Sequence, residues 1–182
     1  MARLRRPSLA DVRIIAHVFA TSYAAVDREL PKLLAKHKPV ALLMFGLAPR
    51  ARVLRIETRA RNTVSLLPDA GGAALSRHAI AAGGPLAIAL PAPVRSLLAA
   101  AHTSRVPAAL SRNAGGYLCN YLAWRAAAAA GKGGGPRLAA FIHVPPIRRK
   151  ARPRSGKPRL TGADLVRAGT QALMTLAAAA RR

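Results

Sequence analysis

Carboxylates are the scarcest chemistry in this sequence: 6 Asp and Glu stand against 30 Lys and Arg, for a formal net charge of +24 over 182 residues. There is one cysteine, Cys119. A single thiol excludes an internal disulfide and a cysteine-built zinc site, and nothing suggests an oxidising compartment, so the cytoplasm is the expected setting. Aromatic residues make up only 4% of the chain, so a core must be built from aliphatic side chains and alanine. Long apolar runs are missing too. The least charged stretch, His78 to Val94, is interrupted by Gly83, Gly84, Pro85, Pro91 and Pro93, too often for a membrane helix. The start, "MARLRRPSLADVRIIAHVFATSY", has the arginines of an export signal, but Asp11 and Arg13 break its apolar segment. A soluble, non-exported chain is expected.

What is present is enough for one domain, residues 1–182, with 52% hydrophobic residues. The positive charge is dispersed among alanine-rich segments, the pattern of solvated faces rather than a nucleic-acid footprint. One local cluster stands out. "IRRKARPRSGKPRL", 147–160, gathers Arg148, Arg149, Lys150, Arg152, Arg154, Lys157 and Arg159 among Pro and Gly, with no aromatic to stack a base. It reads as a basic loop within the domain, giving weak, non-specific nucleic-acid contact if any.

Helix and strand signals alternate. "VRIIAHVF" (Val12 to Phe19) has the short β-branched character of a buried strand. Tyr23 to Lys36 places Val26, Leu30, Leu33 and Leu34 on one helical face, with Pro31 implying a kink or a later start. "VALLMFG" (Val40 to Gly46) reads as a second buried strand, and "RVLRIETRA" (Arg52 to Ala60) as a third, more exposed one. Short strands are expected at Leu86 to Ala89 and Ala108 to Ser111, with a helix at Val94 to Ala101 between them. A helix over Tyr117 to Ala130 ends at "AGKGGGP", "RLAAFIHVPP" is a strand stopped by prolines, and a final helix opens on a Thr161/Asp164 capping box. The order implies an α/β fold, a three-layer sandwich.

Cys119 falls in the first turn of the helix that follows Gly115 and Gly116. Unpaired amides and the helix dipole favour negative charge there, the form in which a thiol attacks, and leave donors aimed where an oxyanion develops. A small buried apolar role is the alternative for a free cysteine. Of five histidines, only His143 sits at the end of an apolar strand, as a base or as a satisfied core histidine. Glu57 is the acidic residue that lies within a strand, able to orient an imidazole or to form a plain salt bridge with an arginine.

Three ordered segments, "FGLAPRARVLRIETRARN", "LSRNAGGYLCN" and "FIHVPP", resemble the glutamate, cysteine and histidine motifs of the pyroglutamyl-peptidase I family. The first carries Gly46, Glu57, Ala60 and Asn62, and the second Ala114, Gly115, Tyr117, Leu118, Cys119 and Asn120. The third sets His143 before a valine and proline. The resemblance implies an α/β/α sandwich with a mixed, mostly parallel sheet of the phosphorylase/hydrolase type. It implies a cysteine peptidase that removes N-terminal pyroglutamate from peptides through a thioester. Cys119 would be nucleophile, His143 base and Glu57 its orienting partner, with Tyr117 and Leu118 walling the lactam pocket. No metal or organic cofactor is implied, and the partners are pyroglutamyl peptides and further copies of the chain. Family members begin with a strand and a "GFxPFGG" loop, whereas "MARLRRPSLAD" resembles the end of the helix that follows it. The domain is therefore expected to be N-terminally incomplete. A weakly active or inactive homologue, or a basic binding protein on the same scaffold, are the other readings.

Overall fold

The computed structural model describes residues 9–130, 132–147 and 160–182. The basic cluster Arg148 to Arg159 lies outside the described residues. The elements run α1 (Tyr23–His37), β1 (Ala41–Leu47), β2 (Leu54–Glu57), β3 (Arg59–Arg61), β4 (Ala87–Ala89), α2 (Val94–Thr103), β5 (Ala108–Ser111), α3 (Leu118–Ala130), β6 (Leu138–Val144) and α4 (Gly162–Ala180). Four strands form the main sheet in the order β1-β6-β2-β5. β1 pairs β6 and β2 pairs β5 in parallel, while β2 and β6 are antiparallel, so the sheet is mixed and mostly parallel. β3 and β4 form a separate antiparallel pair.

Alternation along the strands sorts the side chains into two layers. On one face, Leu54 and Ile56 of β2 and Ala140 and Ile142 of β6 pack on Leu97 of α2 and on Ala168, Ala172 and Leu176 of α4. On the other, Phe141 of β6 meets Tyr23 and Val26 of α1 and Tyr121, Ala123 and Trp124 of α3. These two cores make the three-layer sandwich expected from the order of elements: the first is wholly aliphatic, and the second gathers the buried aromatics Tyr23, Tyr121, Trp124 and Phe141. Among the described residues no helix is long and apolar enough to cross a membrane.

α1 continues through Pro31 rather than starting after it. Its first turn has no cap from Ser22, but the carboxylate of Asp69 accepts from Tyr23 N–H at 3.1 Å and from the backbone of Gly71 and Ala73. One buried acid thereby closes the helix start and the "PDAGG" turn together.

Two expectations are corrected. Val12 to Phe19 is not a strand: it runs without strand pairing, and Ile14, Ile15 and Val18 are exposed. β-propensity describes how a residue fits a pleated surface, and no described strand lies alongside to provide one. The Arg52 to Ala60 segment is two strands, not one, and its first half is buried. At Thr58 the chain leaves the main sheet, its N–H and Oγ1 both donating to Ser111 O, and β3 pairs elsewhere.

Candidate active site

β2 presents Arg55 and Glu57 on the face opposite Leu54 and Ile56, where Glu57 is buried and Arg55 stays partly open to solvent. The Glu57 side chain is 0% exposed. His143, near the end of β6, lies opposite Gly46 of β1 and Arg55 of β2. Its Nδ1–H donates to Glu57 Oε1 at 2.8 Å, and the Phe141 ring packs 5.0 Å away, centroid to centroid. With Nδ1 so engaged, Nε2 is the ring nitrogen left for Cys119, which lines the same cavity.

Burial works against charging this imidazole, but its interactions with Cys119 and the Glu57 carboxylate more than offset it, raising its pKa to about 9. The ring is therefore an imidazolium at neutral pH. A buried carboxylate without a partner costs several kcal/mol, on the order of a whole protein's margin. Here Glu57 Oε1 has the imidazolium and, at 3.7 Å, Arg55 Nε, while Oε2 has no hydrogen-bond partner among the described residues.

Cys119 is the second residue of α3 and half-buried. The preceding loop turns at Gly115, whose φ of +83° belongs to the left-handed region, and Gly115 N–H donates to Asn113 Oδ1. The next residue, Asn120, is wholly buried; its amide exchanges hydrogen bonds with Arg61 N–H and O and reaches Thr63 O, locking α3 onto β3. The asparagine after the cysteine thus fixes where the thiol stands. Gly46 fixes how close the sheet comes: a Cβ there would sit 2.7 Å from Cys119 Sγ and 2.9 Å from Phe141 Cζ. Only glycine leaves the sulfur its place, a role the sequence marks only by the residue's presence in the motif.

Cys119 and His143 open onto a surface cavity of about 360 Å³, lined also by Leu47, Arg55, Asn113 and Tyr117. Its size suits a small ring with the start of a peptide. Tyr117 is held by a 2.9 Å bond from its hydroxyl to Pro68 O. The other expected wall is corrected: Leu118 is 7% exposed, packs in the α1/α3 core and does not line the cavity. Arg55 and Asn113 line it although the pattern did not single them out as site residues.

A thiol, an imidazole and a buried carboxylate joined in line over a mixed sheet between helical layers define the α/β thiol hydrolases. The profile of one family, pyroglutamyl peptidase, matches residues 2–179, and the chain belongs to that family. Pyrrolidone-carboxylate peptidase of Pyrococcus furiosus is 30% identical over 140 residues, 76% of this chain and 67% of the relative. The enzyme of the same name from Thermococcus litoralis is matched over 64% of its length and that from Gloeobacter violaceus, at 28% identity, over 81%. The chain thus spans about two thirds of the archaeal relatives. Among solved structures, a mutant pyrrolidone carboxyl peptidase of P. furiosus superposes with a TM-score of 0.84 at 25% identity, over 94% of this chain and 85% of that one. Bacillus amyloliquefaciens pyroglutamyl peptidase I gives 0.80 at 26% identity, over 91% and 80%.

Proposed function

We propose that this protein is a cysteine peptidase that hydrolyses the bond after an N-terminal pyroglutamyl residue. The observation that carries the reading is the buried Glu57–His143 pair at 2.8 Å with the Cys119 thiol on its other side, at the floor of the cavity. Cys119 Sγ, its proton held by His143, attacks the pyroglutamyl carbonyl carbon, and the oxyanion is met by first-turn amides of α3, which have no intrahelical acceptor. The His143 imidazolium then protonates the leaving amine, and a thioester remains. Neutral His143 takes a proton from the attacking water, and collapse of the adduct breaks the C–S bond, releases pyroglutamate and returns Sγ to its place beside the imidazolium. Glu57 holds the ring throughout, and Tyr117 walls the lactam. Work in the cytoplasm, where a lone thiol stays reduced, and association of copies through the exposed Phe45 of β1 belong to the same reading.

The test is release of aminomethylcoumarin from its pyroglutamyl derivative. Wild type should turn over, and Cys119→Ala should lose on the order of 10³-fold or more with melting little changed; His143→Ala should lose as much, with melting lowered as well because the buried Glu57 loses its partner. A Cys119→Ala protein as active as wild type would sink the reading. A weakly active homologue is favoured by the open side of the cavity, where Leu47 is 60% exposed. It would show slow turnover with a thiol that iodoacetamide still alkylates fast.

A further inference from the structure

Arg55 stands directly across the antiparallel pair from His143 and two residues before Glu57 on the same strand face. One guanidinium nitrogen, Nη2, donates at 2.6 Å both to Ser111 Oγ and to Asn113 O, the segment that leads into α3. Its Nε lies 3.7 Å from Glu57 Oε1, the same oxygen that accepts from His143 Nδ1. The same segment is held twice more from β3, by Arg59 Nε to Arg112 O and by Arg61 Nη1 to Asn113 Oδ1. The Arg59 and Arg61 guanidiniums bond the loop, whereas Arg55 reaches loop and pair together.

We infer that Arg55 is a positioning residue of this site, tying the loop that sets Cys119 to the Glu57–His143 pair and supplying the second positive charge that the pair and a thiolate require. With Cys119 as thiolate the site holds two negative groups, thiolate and carboxylate, and only one positive, the imidazolium; the guanidinium balances it. The charged and titratable groups facing the imidazole are Glu57 and Arg55 from β2 and Cys119 from α3. β1 faces it with Gly46, and Ser111 of β5 brings a neutral hydroxyl to the guanidinium. A cation beside the imidazole opposes its protonation, so removing that cation lets the ring hold its proton to higher pH.

The inference rests on the proposed peptidase site, and the experiment separates the two. Arg55→Gln keeps a hydrogen-bond donor toward Ser111 without the charge; Arg55→Lys keeps the charge without the two-acceptor reach. Both are checked by melting. The His143 ring is titrated by NMR, and turnover of the pyroglutamyl coumarin is followed alongside. Arg55→Gln should raise the His143 midpoint by about one pH unit and lower kcat about 10-fold with KM little changed. Arg55→Lys should return the midpoint and only part of kcat. A midpoint in Arg55→Gln equal to that of wild type overturns the inference, whatever the rate. If no substrate is turned over, the ring titration still decides it.

Discussion

α4 begins inside a closed circuit, Thr161 Oγ1 accepting from Asp164 N–H at 3.2 Å and Asp164 Oδ2 accepting from Thr161 N–H at 2.8 Å, whereas α3 begins after Tyr117 with no acid in its first turn. Both starts carry the same excess of unpaired amides and the same partial positive charge. In α4 the protein's own carboxylate meets that charge, and the helix is anchored. In α3 nothing acidic does, and the residue placed there is a thiol beside an imidazolium. Stability at α3 comes instead from the side, through Asn120 on the β3 backbone and the arginines on the Ser111–Asn113 loop. A helix start kept for chemistry is held from around its rim, and one kept for stability is filled.

Removing one negative charge from each side gives the largest expected contrast. Glu57→Gln leaves the shape of the site but takes the charge that holds His143 protonated and in orientation. Turnover should fall on the order of 10³-fold, and the ring midpoint should drop from about 9 toward its ordinary 6.5. Asp164→Asn, the matching change at α4, should leave both unchanged. Equal turnover losses in the two variants would mean that the difference between the helix starts is not functional.

The helical part of this contrast is legible in sequence. The Thr161/Asp164 spacing states the capping box outright, and both of its arms form. Cys119 after two glycines states an open start. What β2 does is not legible: "LRIE" alternates as a half-exposed strand does, but Glu57 is wholly buried and Arg55 turns its guanidinium to the site while staying partly exposed. Alternation reports that two faces differ, not what covers the polar one. Val12 to Phe19 fails for the reverse reason, because a strand needs a neighbour and the pattern of one segment says nothing of its partner. Leu118 fails on geometry, since the motif makes it adjacent to Tyr117 while the helix turns it into the core. Glu57 and His143 lie 86 residues apart, and only pairing of β2 with β6 brings them together.

The second contrast is in how each side responds to pH. His143 has its pKa raised from 6.5 to about 9 by folding, so its contribution to stability is fully present below 6.5 and is lost as pH rises through 9. The shift corresponds to about 3 kcal/mol at most. Asp164 is shifted the other way, its carboxyl held below the usual carboxylate range first by the backbone and hydroxyl of Thr161. Its contribution is present above pH 3.8 and is lost as pH falls through the lower folded value. Denaturant unfolding from pH 6 to 10 should therefore show a loss that His143→Ala lacks and Asp164→Asn retains. An alkaline slope unchanged in His143→Ala would place the source elsewhere.

The smallest effect sharpens the comparison most. Thr161→Ala removes the side-chain acceptor for Asp164 N–H and the hydroxyl that donates to Asp164 Oδ2, while the backbone arm from Thr161 N–H remains. Asp164 would still have Arg167, three residues on, as an ion partner. Loss of an N-cap of this kind costs about 1 kcal/mol. α4 packs through Ala168, Ala172 and Leu176 against the face of the sheet turned away from Cys119, so a local loosening of its first turn has a whole layer to cross before it reaches the thiol. Melting should fall by a few degrees, roughly 2–4 °C for a chain of this size, with kcat and KM on the pyroglutamyl coumarin equal to wild type. A fall in kcat matching the fall in stability would show that the two layers move together, and that the filled helix start helps to hold the open one.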